Sequence, residues 1–138
     1  MRGVGALNKE ECKSLIEKAA KARENAYVPY SDFKVGAAVL TVEGQVFTGC
    51  NIEIASFGGT ICAERTAMVK AISNGYKSFK AIAVVGKEGS FTYPCGICRQ
   101  FIVEFGMNIK VIVAKTTEDF KIFTIEELLP YGFTGEDL

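Results

Sequence analysis

The chain has 138 residues, with 16 basic and 16 acidic side chains, five cysteines, and neither histidine nor tryptophan. This length suits a single domain over residues 1–138, and the missing histidine excludes a Ser-His-Asp triad, a Cys-His pair and imidazole metal ligands. The formal net charge of zero argues against a nucleic-acid partner, because binding phosphates requires a surplus of Lys and Arg.

The N-terminal half predicts one helix followed by a β-hairpin. Residues 8–11 (Asn-Lys-Glu-Glu) have the form of a capping box, and apolar residues recur behind them at helical spacing, so we expect a helix over residues 8–25. Two β-rich runs, residues 35–42 and 45–51, flank a Glu-Gly pair that is typical of a tight turn.

Helices and strands alternate in the rest of the chain. The predicted elements are a helix over residues 62–73, a strand over 80–86, a helix from Pro94 to Gly106, strands over 109–114 and 120–124, and a short helix over 125–129. Interleaved helices and strands indicate an α/β layered fold. The initial hairpin makes its sheet mixed rather than wholly parallel.

Two further observations predict the cellular compartment of the protein. No apolar run approaches the roughly 20 residues that span a bilayer, and residues 1–7 reach a charge too soon for a signal peptide. We therefore expect a cytoplasmic protein without a membrane partner. Cysteines in such a reducing compartment are metal ligands, nucleophiles or core residues more often than disulfides.

Three of the five cysteines are predicted in the first turns of two helices. Cys95 and Cys98 form a C-x-x-C pair, a spacing shared by structural zinc sites, redox dithiols and chance cysteines. Cys62 begins the preceding helix. Helix N-termini carry partial positive charge, which favours the thiolates that a metal binds. Taken together, the three cysteines favour a metal site.

Three thiolates suit zinc, and three protein ligands leave its fourth position open for water, as in catalytic sites. The other cysteines have no supporting spacing: Cys12 lies on an apolar helical stripe and Cys50 ends a strand, so we expect both to fill the core. Three thiolates and one Zn²⁺ leave one negative charge. Arg65 and Arg99 each follow a cysteine motif and are candidate donors to the sulfurs. Solvated surface arginines are the alternative.

Glu64 is the carboxylate adjacent to the predicted metal. It follows Cys62 by two positions, and residues two apart on a helix face different ways, so Glu64 is directed past the metal toward its water. With histidine absent, Glu64 is the candidate proton shuttle. The alternative interpretation is that a glutamate in a first helical turn only complements the helix dipole.

Five segments resemble the small homotetrameric cytidine deaminases, in family order and over nearly the whole chain. They are residues 30–38 (YSDFKVGAA), 51–53 (NIE), 62–67 (CAERTA), 94–100 (PCGICRQ) and 127–130 (ELLP). The cysteine pattern is that of zinc nucleoside and nucleobase deaminases, in its three-cysteine variant. The resemblance implies a three-layer α/β/α sandwich around a mixed five-stranded sheet, one zinc ion per chain, and a homotetramer with active sites at subunit interfaces.

The resemblance also implies contacts with substrate. Phe33 would line the pyrimidine pocket, and the Ala63 N–H would donate to the ring oxygen of the base. Asn51 and Glu53 would hold the sugar hydroxyls. Phe133 resembles the C-terminal aromatic that stacks on the base in a neighbouring subunit. From the residues alone, Phe33 is equally interpreted as a core aromatic. Spacing alone favours turn residues for Asn51 and Glu53, and a loosely packed terminal residue for Phe133.

Two positions depart from the family pattern. Ile54 stands where Asn is frequent, and Phe57 stands where Tyr is frequent. The missing tyrosine hydroxyl removes one polar contact at the expected interface without affecting the chemistry.

The resemblance implies hydrolytic deamination of cytidine and deoxycytidine to the uridine nucleoside and ammonia, a reaction of pyrimidine salvage. Zinc would activate water, and Glu64 would carry its protons to ring N3 and then to the leaving amine. A blasticidin-type antibiotic deaminase is an alternative, although Asn51, Glu53 and Phe133 favour a plain nucleoside. A polynucleotide-editing deaminase would need a basic surface.

An alternative from another class is a non-enzymatic zinc module or a Cys95–Cys98 redox pair. Such a module would assign no role to Glu64, Asn51 and Glu53, whereas the deaminase interpretation assigns a role to all three. Zinc content and ammonia release from cytidine, measured on one sample, separate the two interpretations.

Overall fold

The structure is a computed structural model that describes residues 6–138; residues 1–5, part of the segment considered above for a signal peptide, lie outside it. The elements in chain order are α1 (Lys9–Arg23), β1 (Gly36–Thr41), β2 (Val46–Cys50), α2 (Ala63–Ser73), β3 (Phe79–Val85), α3 (Gly96–Val103), β4 (Lys110–Ala114), β5 (Phe120–Thr124) and α4 (Ile125–Leu128). Short 3₁₀ turns lie at Phe57–Gly59 and Gly135–Asp137. Among the described residues, no helix has the length and apolar character needed to cross a membrane.

The structure contains the predicted capping box of the first helix and the predicted hairpin turn. The Asn8 side chain accepts a hydrogen bond from the Glu11 N–H at 2.8 Å, and the Glu11 carboxylate accepts one from the Asn8 N–H at 3.1 Å. Gly44 has a φ of +99°, a left-handed conformation that favours glycine in the hairpin turn. These local interactions set where α1 begins and where β1 turns into β2.

The predicted boundaries of the second and third helices differ from the structure, and α1 ends at Arg23 rather than at residue 25. Cys62 and Cys95 were expected in first helical turns, but each occupies the N-cap position with extended backbone, one residue before its helix begins. The third helix was expected to continue to Gly106, but α3 ends at Val103. Neither cysteine side chain makes a capping hydrogen bond, so both sulfurs remain available to another partner.

The five strands form one sheet in the order β2-β1-β3-β4-β5. The sheet is mixed, as predicted: β3 and β4 are parallel, and the other three neighbouring pairs are antiparallel. Parallel neighbours need a crossover connection, and here the crossover contains α3. The loop that leaves β3 therefore leads directly to Cys95.

Alternate residues of the central strands point to two buried clusters on opposite faces of the sheet. Val39, Ile82 and Val111 belong to the cluster shared with α2 and α3. The residues that alternate with these along each strand belong to a second cluster, which is shared with α1. Helices thus cover both faces, and the predicted α/β/α sandwich is confirmed.

The two remaining cysteines have different environments. Cys12 is 1% exposed and packs in the α1 cluster, as predicted. Cys50 was expected to fill the core, but it is half-buried and belongs to neither cluster. It ends β2, which is an edge strand with a single neighbour, so less of its surroundings is filled by protein.

Two glycines let helices lie directly against the hairpin strands. A Cβ on Gly36 would lie 2.0 Å from the Ala19 carbonyl oxygen of α1. A Cβ on Gly49 would lie 2.5 Å from the Ala67 nitrogen and 2.7 Å from the Ala63 carbonyl oxygen of α2. Only glycine permits such approaches. Gly49 therefore sets how closely the N-terminal turns of α2 approach the sheet.

Candidate active site

Three of the five cysteines converge in the folded chain. The sulfur atoms of Cys62, Cys95 and Cys98 all lie within 4.8 Å of one another, and the first two are 3.6 Å apart. Tetrahedral zinc with Zn–S bonds of about 2.3 Å places its sulfurs about 3.8 Å apart. The donor type and the spacing of this cluster therefore fit zinc. Neither Cys12 nor Cys50 belongs to it.

Two helix N-termini place this cluster. Cys62 caps α2, Cys95 caps α3, and Cys98 lies in the first turn of α3. The partial positive charge at each N-terminus stabilises negative charge on the sulfurs. Cys98 is buried, Cys62 is half-buried and Cys95 is exposed, so the cluster opens to solvent on one side.

The sulfurs share negative charge before any metal is considered. A hydrogen bond with Cys98, aided by Arg65 and Cys95 and opposed by burial, lowers the pKa of Cys62 to about 5. The same hydrogen bond, together with burial, raises the pKa of Cys98. A Cys62 thiolate thus accepts the Cys98 proton, and a divalent cation would take the place of that proton.

The two candidate arginines behave differently. Arg65 donates from Nη2 to Cys62 Sγ at 3.5 Å, the contact expected from the sequence. Arg99 was expected to do the same, but it donates from Nε to Pro94 O and from Nη1 to Leu128 O, both at 2.8 Å. Consecutive helical residues point about 100° apart, so Arg99 leaves α3 in a different direction from Cys98. It joins the start of α3 to α4.

Glu64, the second residue of α2, is only 4% exposed. Burial raises the pKa of Glu64 to about 7; the charge on Cys62 adds to this effect, while its own backbone N–H and Arg65 oppose it. A carboxyl group with such a pKa can both accept and release a proton near neutral pH. Complementing the helix dipole, the alternative interpretation, would not require burial.

Asn51 and Glu53 lie on a segment beside the cysteine cluster. Ile52, between them, pairs in antiparallel fashion with Ile61, the residue before Cys62. The backbone hydrogen bonds of this bridge are both 3.0 Å long. The pairing holds the 51–53 segment next to the start of α2.

The Asn51 amide holds the loop of residues 30–35. Its Oδ1 accepts the Val35 N–H at 2.9 Å, and its Nδ2 donates to the Phe33 carbonyl oxygen at 2.8 Å. One amide hydrogen and one oxygen lone pair remain for another partner. Asn51 therefore has a structural role that does not exhaust its hydrogen-bonding capacity.

The Glu53 carboxylate holds the other end of the 30–35 loop. Its Oε1 accepts the backbone N–H groups of Tyr30 and Ser31 at 3.1 and 3.0 Å, and its Oε2 accepts the Ser31 hydroxyl. The hydrogen bond from the Ser31 side chain is the main cause that lowers the pKa of Glu53. Glu53 is therefore an ionised hydrogen-bond acceptor. Sequence reasoning missed Ser31, although it lies within the segment 30–38.

The remaining predicted substrate residues occupy distinct positions. Phe33 is 40% exposed and so is not a core aromatic. Ala63 is buried at the first position of α2, where a helix supplies no acceptor for the backbone N–H. Phe133 is 55% exposed, and its carbonyl oxygen accepts a hydrogen bond from Gln100 Nε2 at 2.6 Å. This bond fastens the C-terminal segment to α3.

The two positions that depart from the family pattern are both on the surface. Ile54 is exposed, and its backbone N–H donates to Thr60 Oγ1 at 3.3 Å. Phe57 is 70% exposed, and its ring contacts that of Tyr30 edge-on with 5.3 Å between centroids. Phe57 thus packs against the same loop that Glu53 holds.

The chain is similar to known proteins over most of its length. The family described as "Cytidine and deoxycytidylate deaminase zinc-binding region" matches residues 9–115. A "Probable cytidine deaminase" of Dictyostelium discoideum is 50% identical over 133 residues, which cover 96% of this chain and 90% of that protein. A cytidine deaminase of Sporosarcina psychrophila is 47% identical over 129 residues, 93% of this chain and 95% of that protein. The crystal structure of cytidine deaminase from Burkholderia pseudomallei has a TM-score of 0.82 and 48% identity, covering 87% of this chain and 97% of that one.

Proposed function

Because the chain belongs to the cytidine deaminase family, we propose that it hydrolyses cytidine and deoxycytidine to the uridine nucleosides and ammonia. The observation that carries this proposal is the position of the buried Glu64 beside three converging thiols. A zinc-binding or redox module would use the thiols alone. A buried carboxyl group that titrates near neutral pH serves a reaction that moves protons.

Cys62, Cys95 and Cys98 would hold one zinc ion per chain. When bound, zinc supplies a polarised water molecule whose pKa lies near neutrality. Arg65 offsets the surplus negative charge of three thiolates through its contact with Cys62 Sγ. The helix N-termini of α2 and α3 contribute in the same direction.

Glu64 moves both protons of the reaction. It accepts a proton from the water that attacks C4 of the pyrimidine and delivers it to ring N3. It then transfers the second proton from the new C4 hydroxyl to the amino group, the C4–N bond breaks, and ammonia leaves. The product keeps the proton on N3 and gains a carbonyl at C4, so the atoms of water are accounted for.

The substrate is oriented by residues of the two segments around the cluster. The Ala63 N–H donates to the carbonyl oxygen on the pyrimidine ring of the base, and Phe33 contacts that ring. Asn51 and Glu53 bind sugar hydroxyls with the hydrogen-bonding capacity that the 30–35 loop leaves free. Fixing both base and sugar allows a single carboxyl group to serve two proton transfers.

The proposed assembly is a homotetramer in which Phe133 reaches the active site of a neighbouring subunit. Phe133, Ile97 and Phe57 are exposed on the single chain and are available for contacts with neighbouring subunits. Light scattering on the purified protein should give about four times the 15.0 kDa of one chain. A monomer at the concentration of an active sample would contradict this assembly. In the cell, the reaction would serve pyrimidine salvage.

The test of the reaction is ammonia release from cytidine, with zinc content measured on the same sample. The Glu64→Gln variant should retain one zinc per chain and lose turnover by about 10³-fold, within the range for positioned acid–base groups. Glu10→Gln is the matched control, because Glu10 is an exposed acidic residue in the first turn of α1, outside the cysteine cluster. Wild-type turnover in Glu64→Gln would refute the role of Glu64. If the protein turned over blasticidin S in preference to cytidine, the proposed substrate would be wrong and the protein would be a blasticidin-type deaminase.

A further inference from the structure

Ser31 joins two residues that are proposed to contact the substrate. Its Oγ accepts the Phe33 backbone N–H at 3.0 Å and also contacts Glu53 Oε2. A serine hydroxyl has one hydrogen to donate, and an ionised carboxylate has none. The hydroxyl hydrogen is therefore directed to Glu53, while a lone pair of the same oxygen receives the N–H of Phe33.

The two oxygens of Glu53 are held by different kinds of donor. Oε1 accepts two backbone N–H groups, which do not depend on any side chain of the loop. Within residues 6–138, the Ser31 hydroxyl is the one hydrogen-bond partner of Oε2. The last torsion of a glutamate side chain is broad when nothing restrains it. Ser31 is thus the side chain that restrains Oε2 of Glu53.

The backbone is bent to make this contact. Asp32 has a φ of +57°, which is uncommon for a residue other than glycine, and its N–H donates to the Val28 carbonyl oxygen at 3.0 Å. The left-handed residue turns the chain back between Ser31 and Phe33. That turn lets the Phe33 N–H reach the Ser31 hydroxyl across a single intervening residue.

We propose, on the basis of the function given above, that Ser31 is a positioning residue that presents Glu53 Oε2 as an acceptor to a sugar hydroxyl. The lone pair that remains on Oε2 accepts a hydrogen bond only from a group that carries a hydrogen. A phosphate ester at that sugar position has none to offer and is repelled by the carboxylate. The 30–35 loop therefore selects nucleosides whose hydroxyl is free at that position over nucleotides esterified there.

The Ser31→Ala variant tests this role, because it keeps both backbone hydrogen bonds to Oε1 and removes the one to Oε2. We expect KM for cytidine to rise about tenfold and kcat to stay within about twofold, since the lost contact orients a charged acceptor without touching the reacting atoms. Ser90→Ala is the matched control: Ser90 is exposed and, in the described part of the chain, makes no side-chain hydrogen bond. It should behave as wild type.

Substrate analogues separate positioning from a general structural effect. The pair 2′-deoxycytidine and 3′-deoxycytidine each lack one sugar hydroxyl. Ser31→Ala should lower kcat/KM about tenfold for cytidine and for the analogue that keeps the hydroxyl bound by Glu53, and less than about twofold for the other analogue. Equal losses on all three substrates, or no loss on any, would overturn the proposal.

A double variant gives an independent check. In a Glu53→Gln background, adding Ser31→Ala should have little further effect on KM, because the acceptor that Ser31 positions has already been changed. Additive losses would also overturn the proposal. Wild-type turnover of cytidine is measured first: its absence refutes the proposed function and this inference together, whereas an active enzyme with an unchanged KM in Ser31→Ala refutes this inference alone.

Discussion

Replacing Gly49 by alanine tests whether the close contact between β2 and α2 positions the active site. The new Cβ would lie 2.5 Å from the Ala67 nitrogen, 2.7 Å from the Ala63 carbonyl oxygen and 2.8 Å from Thr66 Cβ. Favourable contacts between such atoms begin at about 3.5 Å, so α2 must move away from the sheet by about 1 Å. All three atoms belong to the part of α2 that carries Glu64.

The size of the expected effect follows from this displacement. A misplacement of about 1 Å in a reacting group lowers turnover by about 100-fold. Overpacking of a close contact also costs about 1–3 kcal/mol of folding free energy. We therefore expect Gly49→Ala to fold with a lower melting temperature and to lose about 100-fold in kcat. Zinc content should fall by a smaller factor than kcat, because Cys95 caps α3 and Cys98 lies in its first turn.

Two matched glycine variants separate displacement of the site from general destabilisation. In Gly36→Ala the new Cβ would lie 2.0 Å from the Ala19 carbonyl oxygen, so α1 must move away from the opposite face of the sheet. This variant should have a lower melting temperature but a smaller loss of kcat than Gly49→Ala. A Cβ on Gly58 meets nothing within 4 Å, so Gly58→Ala should leave both quantities unchanged. Ammonia release and thermal melting are measured on the same samples. Wild-type kcat in Gly49→Ala, or an equal kcat loss in Gly36→Ala, would refute the reasoning.

Three further predictions concern the cluster and its neighbours. Burial raises the pKa of Glu64 from 4.5 to about 7, so folding takes up a proton between these values. The metal-free protein should therefore lose stability as pH rises through that window, and the Glu64→Gln variant should not show this part of the loss in thermal melts. Arg65→Ala should weaken zinc binding about tenfold or more in a competition titration, whereas Arg99→Ala should mainly lower the melting temperature. A chelator should abolish ammonia release, and added zinc should restore it; activity that survives complete zinc removal would contradict the metal's role.

The parts of the fold that the sequence predicted are those set by local chemistry. The capping box of Asn8 and Glu11 and the turn at Gly44 each involve residues within a few positions of one another, so their signals are complete in a short stretch of sequence. The cysteine cluster was also predictable, because two helix starts that carry thiols have few other reasons to occur together. For the capping box and the turn, one segment contains most of the physical information, whereas the cluster needed two cysteine motifs to be considered together.

The contacts that sequence reasoning missed join distant segments. Arg99 was assigned to the sulfurs because it follows Cys98, but the Leu128 carbonyl, 29 positions away, lies in the direction its side chain takes. Ser31 carried no signal of its own, since its role depends on Glu53, 22 positions away. Cys50 was placed in the core by its apolar character, whereas its exposure depends on the position of β2 at the sheet edge. Such contacts follow from the arrangement of the sheet rather than from local propensity.

The first turn of α2 places two charged side chains beside the thiol cluster and directs them differently. Glu64 and Arg65 are consecutive, and consecutive helical residues point about 100° apart, so one turn can present an acid and a base in different directions. Arg65 reaches the sulfur of Cys62, where it offsets negative charge, while Glu64 is buried and keeps a pKa near 7. Were Arg65 directed at Glu64 instead, their ion pair would lower the carboxyl pKa and leave the thiolate charge uncompensated. In the proposed function, the separation of these two side chains would allow charge balance at a bound metal and proton transfer at the substrate to coexist on a single helical turn.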